Sequence, residues 1–313
     1  MHLWFERFLR IFLMVSLFWA ALPGSVNASV NVQSLDPRQK AQRLMTNLSP
    51  EEKIGQLFLV TFKGRDVSKT SQIYDLVYNR HIGGVMLRNA NDNFTGPENT
   101  LKEAQQMVSD LQKIGWTAAQ AKAQPTKNAS DPDYIPLFIG VSQEGDGYPY
   151  DQILNGLSPL PDEMAIGATW KPDLSFQVGT MLGSELQALG INFYAGPALD
   201  VLDVLPNETS EDLGTRTFGA DPFWAGEMGK AYIQGLHKGS QGRIAVIPTH
   251  FPGRGGSDRP LEEEVATVRK SLEQLKQIEL APFFSVTGGA PSRDAAADGL
   301  LVSHTRYQGF QGN

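Results

Sequence analysis

The sequence predicts an α/β fold of the TIM (β/α)8 barrel type, carried through about six βα units. Three observations predict it. Short apolar runs alternate with helical periodicities along nearly the whole chain. The runs are almost continuously apolar, as strands buried on both faces must be. Ionisable residues follow the ends of these runs in succession, at Arg88, Glu144, Asp200, His250 and His304. A parallel barrel builds its site at those strand ends. One polar loop residue means little, but five strand ends in a row predict a shared pocket, and so an enzyme or a binding protein.

The first 28 residues read as a targeting segment. Arg7 and Arg10, opposed by Glu6, precede the apolar run 11–22, and Val26-Asn27-Ala28 fits a secretory cleavage site after Ala28. The run falls short of the roughly 20 residues that span a bilayer. We expect an exported protein, periplasmic or extracellular, with no stable membrane insertion once residues 1–28 are removed. Residues 29–313 would then be one barrel domain.

Asp36-Pro37 caps and opens a helix with Ala41, Leu44, Met45 and Leu48 on one stripe. Ser49-Pro50-Glu51-Glu52 repeats the start signal with a capping-box Glu and leads into a first strand at 57–62. A second strand is expected at 83–87, then a helix marked by Leu101, Ala104, Val108, Leu111 and Ile114. Residues 117–135 have no sustained period and read as an exposed loop. The third strand is 136–141. A helix with Leu174, Val178, Leu182, Leu186 and Leu189 on one face precedes the fourth, at 191–195. Asp221-Pro222 opens the next helix, and the fifth strand is 243–247. A helix is expected over roughly 262–284, and a sixth strand at 299–302.

Composition narrows the class without naming a function. The chain has 313 residues, 41% of them hydrophobic and 19% charged, enough to sustain a packed core. With 27 Lys+Arg against 34 Asp+Glu the net charge is −7, contrary to a general nucleic-acid binder, which needs surplus cations to displace phosphate counterions. There is no cysteine, hence no disulfide, thiolate metal site or lipidated cysteine.

Three segments carry more. They are 189–201, around Asn192-Phe193-Tyr194-Ala195-Gly196-Pro197-Ala198-Leu199-Asp200; Arg216-Thr217-Phe218-Gly219-Ala220-Asp221-Pro222; and His250-Phe251-Pro252-Gly253-Arg254-Gly255. Supporting matches are Lys53-Ile54-Gly55-Gln56-Leu57, Gly83-Gly84-Val85, Gln143-Glu144-Gly145 and Ala165-Ile166-Gly167-Ala168-Thr169. In this order and spacing the set resembles the barrel domain of family-three glycoside hydrolases, most closely the bacterial β-N-acetylhexosaminidase branch. The resemblance covers about residues 37–313.

The resemblance implies a retaining glycosidase acting on an oligosaccharide or glycoside, without cofactor or metal. A carboxylate attacks the anomeric carbon, a glycosyl-enzyme forms, and an activated water releases the sugar. In this branch the acid/base is a loop histidine paired to an Asp. Arg216 matches the substrate-binding Arg of the Arg-(Ser/Thr)-Phe-Gly motif, although a structural ion pair is its plain alternative. His250 matches a hydroxyl-binding His, the alternative being a core histidine satisfied by backbone. Asp200 follows strand four, where it would orient Arg216 or His250. Glu144 is carried over as substrate-binding.

The departures bear on activity. Ser142 stands where the family usually has Asp, and Thr249 where it usually has Lys. The loop after Phe251-Pro252-Gly253 reads Gly256-Ser257-Asp258-Arg259-Pro260 and has no histidine, so Asp258 is the nearest candidate acid/base. It ranks above Glu262, Glu263 and Glu264, since a Glu run opening a helix is most often macrodipole complementation. The family nucleophile is an Asp after the seventh strand, expected beyond Asn313, so residues 1–313 alone are expected to be inactive. Other readings are a non-catalytic carbohydrate-binding relative and a β-glucosidase. A metal-dependent hydrolase using His250, His304 and Asp200 is weaker, because the first strand ends Thr61-Phe62-Lys63-Gly64 and not in a His-x-His pair.

Overall fold

The computed structural model describes residues 36–122, 134–145, 147–148, 150–203, 213–259 and 265–311. The expected targeting segment, residues 1–28, lies outside the described residues. Residues 1–46 and 47–313 form two compact units. The described part of the first is essentially helix α1 (Pro37–Asn47), none of whose residues is buried. The expected apolar stripe is therefore present in α1 but not fully covered: Leu44 is half-buried and Met45 is 58% exposed.

The second unit opens with α2 (Pro50–Gly55), whose capping box forms as expected. Ser49 Oγ accepts from the Glu52 N–H at 3.2 Å, and the Glu52 carboxylate accepts from the Ser49 N–H at 2.9 Å. Then follow β1 (Leu59–Val60), α3 (Gln72–Tyr78), β2 (Gly84–Met86), α4 (Thr100–Lys122), β3 (Phe138–Val141), α5 (Glu163–Gly167), α6 (Pro172–Ala188), β4 (Phe193–Ala198), α7 (Pro222–Gly239) and β5 (Ala245–Thr249). Strands β1 to β5 pair in sequence order, all parallel. This is the βα progression of the barrel type that the alternation predicted. Val85, Ile139, Val141, Tyr194 and Val246 are wholly buried in one core with Leu182, Leu186 and Leu236 of the covering helices.

Between α6 and α7 the contact is backbone to backbone. A Cβ on Gly179 would lie 2.3 Å from Tyr232 O, and one on Gly235 2.2 Å from Phe176 O. Small residues on both helices let the axes close to within side-chain-free distance. For that reason the buried stripe of α6 is Ser175, Gly179, Leu182, Gly183 and Leu186, while Leu174 of the expected apolar face is 38% exposed.

The expected sixth strand lies beside β5. The Asp298 N–H donates to Val246 O at 3.0 Å, Leu301 N–H to Pro248 O at 2.9 Å and Ser303 N–H to Phe251 O at 2.9 Å. Its pairing is a single parallel bridge, Phe251 with Val302. Both outer members of the sheet expose apolar side chains, Leu57 at 81% on the β1 side and Val302 at 63% on the other.

Two expectations are corrected. Residues 117–122, read as loop, continue α4, because Ile114 and Ala118 extend its buried stripe by another turn. The single helix expected over 262–284 is instead strand β6 (Thr267–Val268) and two short helices, α8 (Leu272–Gln277) and α9 (Leu280–Ser285). Thr267 and Val268, β-branched, pair in parallel with β7 (Arg306–Tyr307). Ser271 starts α8 with its own capping box, and Pro282 in the first turn of α9 forbids a continuous helix.

Candidate active site

Four of the site residues come together. Glu144 follows β3, Asp200 follows β4, Arg216 lies in the loop from β4 to α7, and His250 follows β5. Parallel strands finish at one end of the sheet, so residues just past them converge. Asp200 is wholly buried and accepts from the His250 ring, Nδ1 to Oδ2 at 2.6 Å. Its other oxygen accepts the Arg254 backbone N–H at 2.6 Å. Thr217 Oγ1 donates to the Asp200 carbonyl, tying the Arg216 motif to the same strand end. Asp200 thus orients His250 through its Nδ1. His250 itself has φ 65°. A histidine in left-handed backbone is a strained placement that its Asp200 and loop hydrogen bonds maintain.

Arg216 and Glu144 are both buried, with Nη1 to Oε2 at 3.6 Å. Burial pushes the Glu144 carboxyl above its ordinary range, Asp151 and Asp200 push the same way, and Arg216 and His250 oppose them. The loop after β3 is held by the Asp151 carboxylate, which accepts the backbone N–H groups of Glu144 (2.7 Å), Gly145 (2.9 Å) and Gly147 (3.1 Å). Beside it lies a cavity of about 260 Å³, lined by Gln143, Gly145, Asp151, Ile153 and Ser158 among others.

The cluster contains one acid that the sequence motifs do not announce. Glu163, the first residue of α5, is buried and accepts the Ala198 N–H at 3.1 Å. Burial drives its carboxyl well above the ordinary range, and the nearby Glu144 and Asp200 add to the effect. As a helix-opening acid after the cap Asp162, Glu163 looks like macrodipole complementation. Nothing local distinguishes it from a solvated first-turn Glu.

Arg88 and His304 are exposed and lie outside this buried cluster. Asp258 is engaged elsewhere. Its carboxylate accepts the Thr267 N–H at 2.8 Å, Arg269 Nη2 at 3.0 Å and Arg259 Nε at 3.3 Å. Slight burial raises its pKa, but these donors outweigh it and hold the carboxyl below its usual range. Proton donation at neutral pH requires the opposite. Residues 260–264, with Glu262, Glu263 and Glu264, lie outside the described residues. So does Asn313.

The departures take definite places. Ser142 Oγ donates to Tyr150 O at 3.4 Å and accepts from Gln152 Nε2 at 3.3 Å. Thr249 Oγ1 is buried with no hydrogen-bond partner. Among the described residues no group of three or more His, Asp or Glu side chains could hold a metal ion, and no helix is long and apolar enough to cross a membrane.

A buried Arg–carboxylate pair and an Asp-oriented histidine at the strand ends of a parallel βα sheet define a barrel-type protein with a polar, buried strand-end cluster. The chain belongs to glycosyl hydrolase family 3, matching its N terminal domain over residues 49–313. It is 29% identical over 178 residues to a β-hexosaminidase of Xylella fastidiosa, covering 55% of this chain and 48% of that one. It is 31% identical over 216 residues to a β-N-acetylglucosaminidase/β-glucosidase of Cellulomonas fimi, covering 69% of this chain and 31% of that protein. The solved family 3 β-N-acetylglucosaminidase of a Paenibacillus species superposes with a TM-score of 0.69 at 25% identity, over 84% of this chain and 43% of that structure. The chain thus spans about half the length, or less, of these relatives.

Proposed function

We propose that this chain carries the sugar-binding site of a retaining glycosidase, of β-N-acetylhexosaminidase type. The single observation that carries the reading is the Asp200–His250 pair standing beside Arg216–Glu144 at the strand ends of a family 3 domain. His250 Nε2 and the in-plane N–H groups of Arg216 are the donors that would orient sugar hydroxyls. Relatives named for hexosaminidase activity support the choice of sugar. The basic-then-apolar N-terminus supports an exported protein.

The test is turnover of aryl N-acetylglucosaminide and aryl glucoside by the full-length protein, with Arg216→Met and His250→Ala. We expect preference for the first substrate, and KM raised at least about tenfold in either variant, the loss of one charge-assisted hydrogen bond. Preference for the glucoside would make it a β-glucosidase.

One observation favours a second reading, a carbohydrate-binding relative without turnover. Ser142 bonds within its own loop and Thr249 presents only a buried hydroxyl, so neither position brings a charge to the sugar. Saturable sugar binding by calorimetry with no hydrolysis would establish it.

A further inference from the structure

We propose that Tyr150 is a positioning residue of Arg216, covering one face of the guanidinium and so setting how its in-plane N–H groups are presented to a ligand. The Arg216 Cζ lies 3.5 Å from the centre of the Tyr150 ring. That distance places the guanidinium carbon over the face of the ring, within the range of cation–π attraction. Glu144 acts differently. At 3.6 Å its carboxylate attracts the guanidinium from beyond hydrogen-bond distance. The acid supplies attraction; the ring covers a face.

The loop is built to hold that ring. Tyr150 O accepts from Gln152 Nε2 at 2.5 Å and from Ser142 Oγ at 3.4 Å. Gln152 Oε1 in turn accepts the Asn89 N–H at 2.9 Å, bracing the loop on the segment after β2. The next residue, Asp151, gathers three backbone N–H groups of the same loop. Ser142, which stands where the resemblance implies a sugar-gripping carboxylate, is committed to this brace. Tyr150 and Ser142 thus act as one device. It selects ligands by geometry, favouring a pyranoside whose hydroxyl or acetamido oxygens approach in the plane of the guanidinium.

This rests on the sugar-binding reading, so two readouts are needed, one of them independent of turnover. In the full-length protein, Tyr150→Ala should raise KM for aryl N-acetylglucosaminide about tenfold with kcat within about twofold of the parent, the scale of one partly buried cation–π interaction. Tyr150→Phe keeps the ring and should restore the parent KM. Independently, phenylglyoxal labelling of Arg216, followed by peptide mass spectrometry, should run about tenfold faster in Tyr150→Ala, the same energetic scale. In Tyr150→Phe it should run at the parent rate. Equal labelling in all three proteins overturns the proposal, as does faster labelling with an unchanged KM. If none of the three turns over sugar, the glycosidase reading fails, and the labelling alone decides whether Tyr150 holds Arg216.

Discussion

Asp200 divides its two oxygens between the His250 ring and the Arg254 backbone N–H, each at 2.6 Å, so one buried carboxylate sets both the His250 side chain and the loop that follows it. Asparagine cannot reproduce this, because its amide carries a single acceptor oxygen where two donors must be met. Asp200→Asn should lower unfolding stability by about 2–3 kcal/mol, the scale of a buried donor left unpaired. It should also free the His250 ring. A urea midpoint equal to the parent's would contradict the arrangement.

Glu163 makes a pH-dependent prediction. Its folded carboxyl titrates well above the unfolded one, so the folded state binds the extra proton. Stability from this group is complete below the unfolded pKa, near 4.5, and is lost as pH rises towards the folded value. Glu163→Gln keeps an acceptor for the Ala198 N–H and has no proton to lose. Melting temperatures of parent and variant should be close at about pH 5, with the variant gaining as pH rises to about 9. A constant difference across that range would mean Glu163 is not protonated in the fold.

His237 sits near the start of β5, away from the strand-end cluster, and lines a cavity of about 620 Å³. Its Nδ1 lies 2.7 Å from Asp294 O and its Nε2 2.9 Å from Asp298 Oδ2, so the charged ring donates at both ends. Burial lowers its pKa, but the Asp298 and Asp294 hydrogen bonds outweigh this and raise it. The stabilisation is complete below about pH 6.5 and lost as pH rises through the raised value. His237→Gln should cost about 1 kcal/mol at about pH 6, a figure already reduced for the exposure of Asp298, and less at about pH 9. Denaturant titrations at the two pH values measure it.

Asp258 fastens its loop to β6 and is held ionised by Thr267, Arg269 and Arg259. In the full-length protein Asp258→Ala should therefore reduce turnover of good and poor leaving groups by similar factors, through a loosened loop. A loss confined to poor leaving groups would return Asp258 to the acid role, since activated aryl glycosides need little protonation.

The order of strands, the helix starts at Ser49 and Asp221, and the residues Glu144, Asp200, Arg216 and His250 were legible in the sequence, because each is written in local signals. Caps, apolar runs and motif wording need no partner to be read. Other features had no local signal. Glu163 looks like any first-turn Glu until Ala198 and the buried cluster surround it. Tyr150 carries no motif until its ring meets Arg216, 66 positions later, across two strand-end loops. Asp258 is titratable in sequence but acquires Arg269 and the Thr267 backbone donor only when β6 forms beside it. The sequence by itself determined the alternation and which strand ends carry ionisable groups. Tertiary structure alone decided which of those groups are desolvated and what each faces, because pKa and hydrogen bonding depend on neighbours distant along the chain.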